Sequence, residues 1–137
     1  MTEKRFRSLV IKMLDPIGAF AVENSAGVGV PDICTVAGWI ELKIASWPIR
    51  LETKISVDLR KTQVIWLRRW VAHGGKAWTL TDIEGEWFLH KASWACDFLG
   101  NSAEAELREN AVPWRGVHVN TCRPDQRILI DTLLGGN

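Results

Sequence analysis

Thirteen residues, 31 to 43, constrain this chain more than any other stretch. They run Pro31-Asp32, then eight residues, then Glu41-Leu42-Lys43. Ile33 to Ile40 between them reads as the end of one strand, a tight turn at Ala37-Gly38 and the start of the next strand, so that the two ends lie side by side. Strand side chains alternate with a period of two. Ile40, Leu42 and Ile44 therefore point one way, and Trp39, Glu41 and Lys43 the other. Charges in an otherwise apolar strand are costly unless they are paired or bound to a cation. Asp32, Glu41 and Lys43 thus predict a cluster of two carboxylates and one amine, suited to a divalent ion beside a basic group. Asp32 and Glu41 are the candidate ligands, with the backbone carbonyl of Leu42 as a third. Mg²⁺ or Mn²⁺ is the expected ion, because it takes hard oxygen donors and drives phosphodiester hydrolysis. Lys43 is placed to orient or deprotonate water, or to stabilise charge on phosphate. Both strings are short, and a loop Asp plus a surface Glu-Lys pair fits the spacing as well.

A wider pattern surrounds them. An amphipathic helix over residues 2–14 has Thr2 as its N-cap and Phe6, Leu9, Val10, Met13 and Leu14 on one face. A strand over 19–23 and a Gly-containing loop over 24–30 lead into Pro31. After Lys43 comes a loop bearing Trp47, Arg50 and Lys54, then a helix over 59–73 capped by Ser56 or Asp58. Strands over 76–82 and 86–90 follow Gly74-Gly75. This order resembles the PD-(D/E)xK nuclease superfamily over about residues 3 to 91. It is most similar to archaeal-type Holliday junction resolvases and to VRR-NUC nucleases, which are often phage-encoded. The resemblance implies an α/β fold with a restriction-endonuclease-like core, a central mixed β-sheet flanked by helices. It also implies Mg²⁺-dependent cleavage of DNA, branched DNA such as a Holliday junction above all, by a homodimer. Flap, nicked or linear DNA is the alternative target, and a non-catalytic DNA-binding module the alternative function. Gln63 matches a family Gln that lies near the catalytic Lys. A helix-borne family Glu corresponds to Glu3, although an ungapped comparison puts Arg7 there. Glu3 equally suits a helix N-terminus.

Candidate DNA contacts are Arg5, Arg7, Ser25, Arg50, Lys54, Arg60 and Lys61, since cations and loop groups position a phosphate backbone. Glu23 is a further carboxylate within reach of the hairpin, or an exposed loop residue. Net charge is only +1, but residues 1–76 hold twelve Lys/Arg against seven Asp/Glu and residues 77–137 five against nine. The positive half coincides with the nuclease-like region. Ile65, Trp66 and Trp70 are expected to widen the buried stripe of the 59–73 helix, and His73 to face its C-terminal dipole.

Three widely spaced cysteines, Cys34, Cys96 and Cys122, form no zinc pattern and are expected as free thiols in a reducing cytoplasm. No apolar run has the length of a membrane span. Residues 92–137 exceed the nuclease-like core. They predict short helices over 92–99 and 102–110, a strand over 117–121 and a closing helix over 124–134. This extension packs on the sheet or builds a dimer interface. Length fits one domain over residues 1–137.

Overall fold

The computed structural model describes residues 1–22, 27–116 and 123–135. Helix α1 spans Glu3–Leu14, and Thr2 caps it by accepting a hydrogen bond from the Arg5 amide at 3.2 Å. A 3₁₀ turn, Asp15–Ile17, ends on Gly18 in the left-handed region (φ 72°). The strands are β1 (Phe20–Ala21), β2 (Ile33–Cys34), β3 (Trp39–Ala45), β4 (Ala77–Ile83) and β5 (Glu86–Lys91). Between β3 and β4 lies α2 (Lys61–Ala72). After β5 come α3 (Ala92–Phe98), α4 (Glu104–Glu109) and α5 (Gln126–Gly135).

The five strands form one mixed sheet in the order β1-β2-β3-β4-β5, with β3 and β4 parallel and every other pair antiparallel. The parallel pair needs a crossover, which α2 provides. The α/β class and the sheet flanked by helices are as the sequence predicts. Its inner strand β4 is buried along its whole length. A two-residue loop, Glu84-Gly85, joins β4 to β5; both residues have positive φ (52° and 92°), the backbone a tight hairpin requires.

The alternation along β3 holds. Ile40 and Leu42 join Phe6, Val10, Leu14, Leu80, Trp87, Leu129 and Leu133 in a core under α1 and α5. The opposite face carries Trp39, Glu41 and Lys43, continued in register by Thr79 and Thr81 of β4, and α2 and α3 cover it through Leu67 and Ala92. Of the two roles open to the C-terminal extension, α5 takes the first: it completes the core against α1 and the sheet.

Several expectations need correction. Of the strand expected over 19–23, the described residues 19–22 are strand only at Phe20–Ala21, paired to Ile33–Cys34 of β2. Neither Ser56 nor Asp58 caps α2; the Arg60 amide instead donates to Gln63 Oε1 at 2.9 Å. Ile65 and Trp70 are not core, being 48% and 37% exposed. Helix α2 buries one narrow stripe, Gln63 and Leu67, and Ile65 and Trp70 lie outside it. His73 does sit at the helix end, its Nδ1 2.7 Å from the Arg69 carbonyl. Cys34 and Cys96 are free thiols. The strand expected over 117–121, Cys122, Glu23 and Ser25 lie outside the described residues. No helix among them is long and apolar enough to cross a membrane.

Candidate metal and phosphate site

The hairpin that builds the site is closed by Thr35. Its hydroxyl accepts from the amides of Ala37 (3.1 Å) and Gly38 (3.2 Å) and donates to the Gly38 carbonyl (2.9 Å). Gly38 is required there, since its φ is 145° and a Cβ would collide with the Lys76 carbonyl. The turn sets the register, Ile33 opposite Ile40 and Cys34 opposite Trp39. Carried on, that register puts Asp32 opposite Glu41 and Pro31 opposite Leu42. Proline has no N–H, so at this step the ladder has no donor to give the Leu42 carbonyl. The Leu42 N–H is taken by Asp32 Oδ2 at 2.8 Å. In a strand the N–H and C=O of one residue face the same neighbour. The carbonyl of Leu42 is therefore turned to the Asp32 side, as a third oxygen beside the two carboxylates.

Glu41 is only 3% exposed, and Lys43 8%. Glu41 Oε2 lies 3.2 Å from Lys43 Nζ. Gln63, in the first turn of α2, ties the pair together: its Nε2 donates to Glu41 Oε2 at 2.8 Å, and its Oε1 accepts from Lys43 Nζ at 3.0 Å. Lys43 Nζ also donates to the Asp58 carbonyl at 2.6 Å. Three acceptors thus match the three N–H donors of an ammonium. Burial, and next the negative charge of Asp32, push the Glu41 carboxyl up to about 8, with Lys43 opposing the rise. Glu41 therefore holds a proton at neutral pH unless a further positive charge enters.

These groups line one polar cleft of about 390 Å³. Glu3 and Arg7 reach it from α1, and Arg60 from the start of α2. Glu3, however, does not close up with Asp32 and Glu41 into a cluster of three acidic groups, and no such cluster occurs among the described residues. Asp32, Glu41 and the Leu42 carbonyl are the oxygen donors that fit a hard divalent cation.

Comparison of the chain with protein-family models, with curated proteins and with solved structures finds no match. What the site can do therefore rests on its own geometry.

Not every residue singled out in the sequence comes to the cleft. Arg5 and Lys61 are exposed on their helices and lie off its lining, and Arg50 is exposed in the loop after β3. The amine of Lys54 is turned to Asn101, 2.7 Å away, so it serves the connection between α3 and α4. Sequence reasoning missed Asp58. Its contribution is a backbone carbonyl, which no side-chain pattern signals.

Proposed function

We propose that this protein is a divalent-metal-dependent DNA endonuclease with a restriction-endonuclease-like core of the PD-(D/E)xK kind. One observation carries the reading. A buried carboxyl, Glu41, is forced against a second one, Asp32, beside the Lys43 amine in an open polar cleft. Such an arrangement costs stability, and the cost makes sense where a cation is bound. The oxygen set favours Mg²⁺ or Mn²⁺ over softer ions.

When bound there, a divalent ion supplies Lewis-acid polarisation of the scissile phosphate and acidifies a water. The chain's own residues do the rest. Arg7 and Arg60 flank the cleft and hold the phosphate backbone. Gln63 fixes the rotamer of Lys43 and orients Glu41 toward Asp32. The Lys43 ammonium is saturated by its three acceptors, of which Glu41 is the most distant. The N–H that Lys43 gives to Glu41 would be the one free for the phosphate or the attacking water were Glu41 to hold a cation. Branched DNA as substrate, and a homodimer whose two sites nick opposing strands, follow from the family resemblance alone.

Cleavage of matched linear, flap and four-way DNA in Mg²⁺ is the test. The reading expects cleavage that Asp32→Asn abolishes, with the branched substrates, flap and four-way, cut faster than the linear one. Equal rates on all three would keep the chemistry and reject the branched substrate. DNA bound without cleavage in any divalent ion would favour a non-catalytic binding module.

A further inference from the structure

Beside the cleft, on the outer side of α2, lies a second groove of about 450 Å³. Trp66 and Trp70 line it, with Val28, Ile65, Arg69 and Thr62 around them. Their indoles stack at 5.5 Å with 17° between planes, and Trp39 meets both edge-on at 5.2 and 6.1 Å. The pair is held rigid. Trp70 Nε1 donates to the Lys76 carbonyl at 3.0 Å, and its ring lies so close over Gly75 that any side chain there would collide with it. Helix α2 carries no acidic residue. Arg68 is paired with Asp97 at 2.6 Å, whereas Arg69 and Lys61 are exposed and make no ion pair among the described residues.

An occupant of this groove must offer flat apolar faces and negative charge together. A protein segment that filled it with apolar side chains would leave the cations of α2 unmatched. Duplex DNA keeps its base faces inside the stack. Single-stranded DNA offers both features, since every base has a π-face and every linkage a phosphate. The groove also adjoins the cleft: Thr62 lines one and Gln63 the other, on the same first turn of α2, next to Lys61. We propose that Trp66 and Trp70 form a stacking platform for unpaired bases of a single strand running on from the cleft, with Arg69 and Lys61 on its phosphates. The substrate class is then DNA with a single-stranded arm or gap next to the cut. This deepens the nuclease reading and rests on it.

The test measures binding of a fluorescently labelled fifteen-nucleotide oligo(dT) and of a linear duplex by anisotropy, in EDTA so that no cleavage intervenes. Trp66→Ala and Trp70→Ala are expected to weaken oligo(dT) binding at least about fivefold and to leave duplex binding unchanged. Trp70→Phe should recover part of the loss, and oligo(dT) should quench tryptophan emission in the unmodified protein. Arg69→Ala, which leaves both indoles in place, should lower both the affinity for oligo(dT) and its dependence on salt; it decides the matter if the Trp variants fail to fold. Oligo(dT) affinity unchanged in the folded variants overturns the inference, as does an equal loss for duplex. A dimer that Trp70→Ala dissociates without changing oligo(dT) affinity would assign the groove to a second copy of the chain. Metal-dependent cleavage alongside unaltered oligo(dT) binding would sink this inference alone, whereas failure of the unmodified protein to bind any DNA would sink the nuclease reading with it.

Discussion

Asp32 does two things at once: it sits opposite Glu41 and accepts the Leu42 N–H. The two roles separate by substitution. Asp32→Asn keeps an acceptor for that amide but removes the charge, so cleavage should fall at least about hundredfold while the thermal midpoint without metal stays level or rises. Asp32→Ala also strands the amide, which costs about 1–3 kcal/mol; thermal melts of the two variants side by side check the difference. Glu41 carries the pH dependence. Its carboxyl is raised from 4.5 to about 8, so the folded chain holds a proton that the unfolded chain has lost between those values. Stability in EDTA should therefore fall as pH rises from about 4.5 to 8 and level off above. Urea denaturation across that range tests this, and Glu41→Gln should flatten the decline. A decline that persists unchanged in Glu41→Gln would assign it to another group.

At the scale of elements, α2 links fold and site through Gln63. Its side chain accepts the Arg60 amide and bridges Glu41 to Lys43. Gln63→Ala should cost about 1–3 kcal/mol in urea denaturation and slow cleavage while leaving DNA binding in EDTA intact. A variant with unaltered cleavage would remove Gln63 from the site. The hairpin was legible in the sequence because turn chemistry and two-residue alternation are local and both agree at 31–43. Gln63 was readable only through the family pattern, since no local rule relates a helix residue to a strand twenty positions earlier. The exposure of Ile65 and Trp70 was not readable. Hydrophobicity marks a side chain as able to be buried, but which stripe of α2 meets the sheet depends on where α3 and β4 lie.

On the scale of the whole molecule, the C-terminal extension and the N-terminal helix share one core, through Leu129 and Leu133 against Phe6 and Val10. Leu129→Ala should destabilise the entire chain by about 2–5 kcal/mol, with one cooperative transition in denaturant. Two separated transitions would mean that α5 folds apart from the rest. The sequence left open whether this tail joins the sheet, because amphipathic helices suit a core and a dimer interface equally well. The charge split between the two halves of the chain had a clearer outcome: Arg7 and Arg60, both from the basic half, flank the cleft.

The proposed function requires Asp32 and Glu41 to grip a divalent cation. Calorimetric titration of Mn²⁺ at pH 7, repeated in buffers of different ionisation enthalpy, tests it most directly. One ion per chain is expected, with release of close to one proton as Glu41 ionises, tighter binding as pH approaches 8, and loss of binding in Asp32→Asn. Mn²⁺ binding that is absent, or that survives unchanged in that variant, would contradict it.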